Sequence, residues 1–105
     1  MRDNEELDIQ EERNPGAAKF TLKGRVNAAS ANSLQHRLET AVNEGHTNIV
    51  VNMFRIEYLS SVGIRVILKI YKETSEKGGT FKIERPSENV KNVLGMVALK
   101  EMMVE

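Results

Sequence analysis

Cysteine is absent from the sequence, which excludes a disulfide framework, a thiolate zinc centre and thiol redox chemistry, and suits a reducing compartment. An excess of charge of one sign is missing as well. Lys plus Arg and Asp plus Glu both number 15, so no long-range field draws the chain to nucleic acid or to an anionic membrane. Any partner must be recognised locally. Long apolar runs are also lacking: the opening Met1-Arg2-Asp3-Asn4-Glu5-Glu6 has no signal-peptide core, and no stretch approaches the ~20 residues of a membrane span. A soluble cytoplasmic protein is the expectation. No internal repeat, linker or low-complexity segment divides the chain, so one domain over 1–105 is expected, burying roughly 65% of the surface its unfolded form exposes.

A catalytic constellation is the last absence. His36 and His46 stand without a carboxylate or second histidine at ligand spacing, which favours surface histidines over a metal site. Gly78-Gly79 closes a helical pattern and does not open one, so it reads as a turn and not as a phosphate cradle. With no nucleophile, base and orienting group to assemble, the sequence reads as a binding protein and not an enzyme.

What is present is patterning. Leu7 and Ile9 alternate with charged residues as a solvated edge strand, and Arg13-Asn14-Pro15-Gly16 has Pro and Gly in type II turn order. A second strand puts Ala18, Phe20 and Leu22 on one face and Lys19, Thr21 and Lys23 on the other, with Gly24 as its end. From Ser30 the period lengthens: Leu34, Leu38, Ala41 and Val42 form one helical stripe, with Asn27 or Ser30 as cap and Gly45 at the left-handed stop.

Ile49-Val50-Val51 is β-branched on both faces, as a central strand requires. A second stripe, Ile64, Ile67, Leu68 and Tyr71, puts Leu68 at the centre of the buried face, and Lys77-Gly78-Gly79 ends it. Thr80 to Glu84 alternates as a fourth strand. Ser87 then caps a third helix whose stripe is Val90, Val93, Leu94 and Val97. Met96, Met102 and Met103 with Leu99 read as core filling or an adaptable contact surface. The predicted fold is α/β in the order β-β-α-β-α-β-α: a mixed sheet of about four strands with helices mainly on one face.

The segment Tyr58-Leu59-Ser60-Ser61-Val62-Gly63-Ile64 resembles the signature of STAS domains of the anti-sigma factor antagonist family, in which a strand runs through Asp-Ser, a small residue, Gly and an aliphatic residue into an amphipathic helix. Gly24-Arg25-Val26-Asn27 stands where that family has Gly, a variable residue, an aliphatic residue and Asp. Three positions depart from the pattern: Ser60 and Asn27 replace acidic residues, and Arg65 replaces a small one.

The resemblance implies an anti-anti-sigma factor that regulates transcription by partner switching. Unphosphorylated, it binds an anti-sigma factor serine kinase and frees a sigma factor; phosphorylated on Ser61, it lets go; a serine phosphatase resets it. ATP belongs to the kinase, so the chain itself needs no cofactor, and a monomer is expected when free. Ser60 is a second candidate acceptor. The two segments follow the ends of neighbouring strands, so the expected partner surface gathers Asn27, Ala28, Ser60, Ser61, Val62, Gly63, Arg65 and Lys69. Two alternatives remain: a STAS scaffold of a sensory assembly, and a ligand-binding or non-sigma partner-switching module.

Apart from the family, a serine at a helix N-terminus meets unpaired N–H groups and a positive dipole end, so it either caps the helix or tolerates a phosphate of about −1.5 to −2 charge. Arg65, one turn on, can lean toward such a group or remain a solvated arginine.

Overall fold

The computed structural model describes residues 7–96 and 103–104, with side chains over 7–93. Strand β1 (Leu7–Asn14) turns through Pro15-Gly16 into β2 (Ala17–Val26), and Gly16 supplies the positive φ of 74° that the turn needs. Helix α1 (Ala28–Asn43), strand β3 (Asn48–Leu59), helix α2 (Ser61–Glu76), strand β4 (Thr80–Glu84) and helix α3 (Glu88–Met96) follow, and a two-residue strand β5 (Met103–Val104) adds to the far edge. Leu99, Val97 and Met102 lie outside the described residues.

The sheet order is β1-β2-β3-β4-β5, antiparallel between β1 and β2 and parallel elsewhere. Each parallel step moves the same way across the sheet. Crossovers of one hand therefore put α1 and α2 on the same face, where they pack on each other and on β2, β3 and β4. The expected fold class and element order hold. Between helices and sheet, Phe20, Leu22, Leu34, Leu38, Ile49, Val51, Ile67, Ile70, Phe81 and Ile83 are fully or almost fully enclosed. Each such large side chain contributes about 1.5–3 kcal/mol by leaving water.

Two expectations about element ends change. Gly24 does not end β2; the strand runs on to Val26, and Gly24, at φ 120°, sits at an irregularity in the ladder. There the ten residues of β2 pair with the twelve of β3, so β3 accommodates extra residues near Phe54 and Glu57. Each extra residue shifts the alternation by one. The inward set of β3 is consequently Ile49, Val51, Met53, Ile56 and Leu59, while Phe54 and Tyr58 are exposed. Helix α1 begins at Ala28, two positions before the helical period sets in at Ser30, and of the two expected caps it is Asn27 that serves.

Leu68 is the third correction. Its side chain is 40% exposed, and the buried line of α2 is Gly63, Val66, Ile67, Ile70 and Thr74. The helix is apolar over more than half its turn, so two stripes one residue apart both fit the period. The deciding residues are the small Gly63 and Thr74, which let the helix approach; the Thr74 hydroxyl donates to the carbonyls of Ile70 and Tyr71, each at 3.0 Å. Leu68→Ala is expected to cost under about 0.5 kcal/mol and Ile67→Ala about 2–5 kcal/mol. Urea unfolding of the two variants checks the rotation of the helix, and an equal loss at both positions would contradict it.

At the acidic edge strand Leu7 is buried as expected, and Glu11 turns inward too. Its carboxylate accepts from Arg37 Nη2 at 3.1 Å and from Arg13, while Arg13 also reaches Glu44. Burial pushes the Glu11 carboxyl up, yet the hydrogen bonds and charges of Arg13 and Arg37 outweigh it and hold the group below its ordinary range. β1 is thereby clipped to α1.

Candidate partner-binding site

Val26 and Leu59, the last residues of β2 and β3, are register partners, and the Ser60 N–H donates to the Val26 carbonyl at 2.9 Å. Both strands then release directly into helices. Asn27 and Ser60, distant in sequence, become neighbours at one end of the sheet, as the two sequence segments suggested.

Each helix start is tied down by its own cap. Asn27 Oδ1 accepts from the Ser30 N–H at 2.9 Å, and the Asn27 N–H donates to Ser30 Oγ at 2.9 Å, a reciprocal capping box. Ser30 is itself buried, with its hydroxyl donating to the Arg25 carbonyl at 2.8 Å. An asparagine thus makes the cap that an aspartate would make, without the charge. On the second helix, Ser60 Oγ accepts from the Gly63 N–H at 3.1 Å. Ser60 is the cap, and Ser61 is the first helical residue.

That division of labour separates the two serines. Ser60 is half-buried and engaged, whereas Ser61 is exposed and its hydroxyl makes no hydrogen bond among the described residues. Gly63 has a steric task beside them: a Cβ there would meet Val26 Cγ1 at 2.7 Å and Leu59 Cδ1 at 2.8 Å. Its absent side chain seats the first turn of α2 on the two strand ends and so fixes where Ser61 stands.

Ala28 and Arg65 are exposed and Val62 is half-buried, all around this corner. Arg65 forms no ion pair among the described residues. Lys69 is differently placed: its ammonium lies 2.9 Å from Glu39 of α1 and 3.9 Å from Glu73. Hydrogen bonding to Lys69, with a lesser share from Gln35, holds the Glu39 carboxyl below its ordinary range, and Glu39 raises Lys69 in turn. Lys69 is therefore a tie between α1 and α2. Leu68, next to it, is exposed where the periodicity of the sequence points it to the core; the close approach at Gly63 is what turns it outward.

No group of three or more His, Cys, Asp or Glu able to hold a metal ion occurs among the described residues, and none of their helices is long and apolar enough to cross a membrane. The cleft between β1 and α1 is lined by residues including Asp8, Ser33, His36 and Arg37, and no hydrogen bond joins Ser33 to His36 among the described residues.

A sheet with helices α1 and α2 on one face, two capped helix starts side by side and an exposed serine in the first turn of the second make up this corner of the domain. Residues 8–104 match the model of the STAS domain, and the chain belongs to that family. It is similar to BtrV of Bordetella bronchiseptica, which carries the provisional name of anti-sigma factor antagonist, at 32% identity over 72 residues, 69% of this chain and 62% of that one. The chain thus spans less than two thirds of BtrV. Similarity to the anti-sigma-B factor antagonist of Bacillus subtilis is 21% over 97 residues, 92% of this chain and 88% of the relative. In structure, the anti-sigma factor antagonist SpoIIAA in its unphosphorylated form matches with a TM-score of 0.85 at 22% identity, over 92% of this chain and 86% of the other. The phosphorylated form of the Bacillus cell fate determinant SpoIIAA matches at 0.79 and 20%, over 92% and 89%.

Proposed function

We propose that this STAS domain is an anti-sigma factor antagonist that works by partner switching with Ser61 as the switch. In the unphosphorylated state the corner formed by Asn27, Ala28, Ser60, Ser61, Val62, Gly63 and Arg65 packs against an anti-sigma factor serine kinase and frees its sigma factor. Transfer of the ATP γ-phosphoryl group by the kinase to Ser61 Oγ ends the complex, and a serine phosphatase restores it. The chain supplies the acceptor and the surface; nucleotide and phosphotransfer belong to the kinase.

One observation carries this reading: the cap hydroxyl belongs to Ser60, so the exposed Ser61 hydroxyl is not used by the fold. A phosphate there meets the positive end of α2 and leaves the domain intact, while a partner packed against the bare hydroxyl loses its fit. SpoIIAA, whose unphosphorylated and phosphorylated forms both match this fold, is a relative consistent with a domain that outlasts the modification. The names of the relatives point to an anti-sigma factor as partner, and the kinase and phosphatase roles come from the family resemblance.

Incubation with the cognate kinase and ATP, followed by mass spectrometry, is the test. Phosphate is expected on Ser61 in the parent and in Ser60→Ala, and none on Ser61→Ala. Phosphate on Ser60 alone would move the switch by one residue, and no modification of either serine would favour the scaffold reading.

A further inference from the structure

The outer face of α2 is a row of cations headed by a serine. Ser61, Arg65, Lys69 and Lys72 are all exposed, and Ser61 and Arg65, one helical turn apart, are neighbours on that face. Lys69 is already paired, with Glu39 of α1 and with Glu73. Arg65 differs from it: no hydrogen bond or ion pair holds its guanidinium among the described residues. Its own helix gives it no acid, because the residues one turn away on either side are Ser61, Val62, Leu68 and Lys69, and the first carboxylate of α2 is that of Glu73. The first turn of α1, which starts beside that of α2, carries no acidic residue either. Glu57 of β3, the acid nearest before Ser61 in the sequence, forms no ion pair with Arg65.

We propose that Arg65 is the internal partner of the phosphate on Ser61, closing over it in two-point contact and protecting the ester from the phosphatase, an inference that rests on Ser61 being the modified residue. Spacing and order both suit the pair: an acid four residues before a cation is the favourable arrangement on a helix, and the reverse is weaker. The planar guanidinium matches two phosphate oxygens at once, which an ammonium does not. The turn that carries the phosphate is held in place, since Gly63 is seated on Val26 and Leu59 and its N–H donates to Ser60 Oγ at 3.1 Å. Only the arginine has to move. Its rotamer freedom is the cost, and a group of about −1.5 to −2 charge offsets that cost better than a carboxylate does. Before modification Arg65 has no internal acid to hold and faces the partner. Afterwards it is turned to the phosphate, so modification withdraws a cation from the corner as well as adding an anion. A phosphatase must then displace the guanidinium from the oxygens it needs to bind, and the released state lasts longer.

The test installs phosphoserine at position 61 of the full chain during synthesis, so that no kinase is needed, in the parent and in Arg65→Ala, Arg65→Lys and Lys72→Ala. Phosphorus NMR over a pH series reads the protonation of the phosphate, and a broad-specificity serine phosphatase reads its protection. Arg65→Ala is expected to move the phosphate midpoint to higher pH, because the dianion loses its counter-charge, and to speed dephosphorylation about fivefold. Arg65→Lys restores the midpoint and only part of the protection. Lys72→Ala, on the same face about three turns from Ser61, changes neither. Without the phosphate, Arg65→Ala keeps the parent Tm, since the exposed guanidinium holds nothing in the fold; with it, the variant melts below the phosphorylated parent. An unchanged midpoint and rate in Arg65→Ala, or equal effects in Lys72→Ala, would overturn the proposal. The kinase assay stands apart from this one: phosphate on neither serine there counts against the switch, whereas the contact of Arg65 with an installed phosphate is decided here.

Discussion

Ser61→Asp is expected to bind the partner kinase about a thousandfold more weakly than the parent, whereas Ser61→Ala stays within about tenfold. The first figure is a loss of about 4 kcal/mol. Removing a hydroxyl removes at most one neutral hydrogen bond, worth about 0.5–1.5 kcal/mol, so alanine cannot imitate release. Burying a charge against a surface that had accommodated a hydroxyl can, through desolvation and repulsion.

The capping geometry adds a control. Neither substitution at Ser61 touches the bond from Gly63 N–H to Ser60 Oγ, so both variants keep their thermal midpoint, and an aspartate in the first turn gains a little from the helix dipole. Ser60→Ala reverses the pattern, losing roughly 1 kcal/mol of stability while remaining a substrate. Calorimetry for the diagonal comparison and isothermal titration for affinity provide the readout. If Ser61→Asp binds as the parent does, the switch is elsewhere.

Gly79→Ala is expected to be among the most damaging small substitutions in the molecule. A Cβ at Gly79 would lie 2.0 Å from the Thr47 carbonyl oxygen and 2.7 Å from its carbon, and both are backbone atoms. Neither side can yield cheaply. The Gly79 N–H donates to Thr74 at 2.7 Å, and the next residue, Thr80, donates to that same Thr47 carbonyl at 3.1 Å at the start of the β3–β4 pairing. A loss of roughly 3 kcal/mol follows. Gly78→Ala makes the contrast: its φ of 78° strains an alanine, but the space is open, and about 1 kcal/mol is expected. Chemical denaturation of the pair decides, and a larger loss at Gly78 would mean that the turn relaxes around the new methyl group.

The two glycines also illustrate what was legible in the chain. Gly78-Gly79 reads as a helix stop, and it is one, but only contact with Thr47 distinguishes a glycine needed for its φ from one needed for its size. Leu34, Leu38, Ala41 and Val42 were readable because α1 has one apolar stripe and a polar remainder. In α2 the apolar residues are too many for periodicity to choose among rotations, so the pattern alone turns Leu68 inward. β3 hides its second half for a related reason: the extra residues near Phe54 and Glu57 break the alternation that identifies a strand, and the exposure of Phe54 and Tyr58 is hidden with it. The switch region was legible through its resemblance and its helix-start chemistry, whereas the division between a capping Ser60 and an unengaged Ser61 appears only once Gly63 has found its place on Val26 and Leu59.

The half of β3 that β4 does not reach has a consequence for how the domain is made. Beyond Asn52 this strand has a neighbour on one side alone, and on the other its carbonyls are taken by what comes later in the chain: Met53 by the Ser87 N–H at 3.2 Å, Ile56 by the Ser87 hydroxyl at 2.7 Å, and Glu57 by Asn89 at 2.6 Å. During synthesis at ~5–20 residues per second, that edge therefore waits a few seconds for its cover. Until then it offers a nascent neighbour on the same message a ready strand to join. Once Ser87 and Asn89 have closed over it, those carbonyls no longer accept another chain.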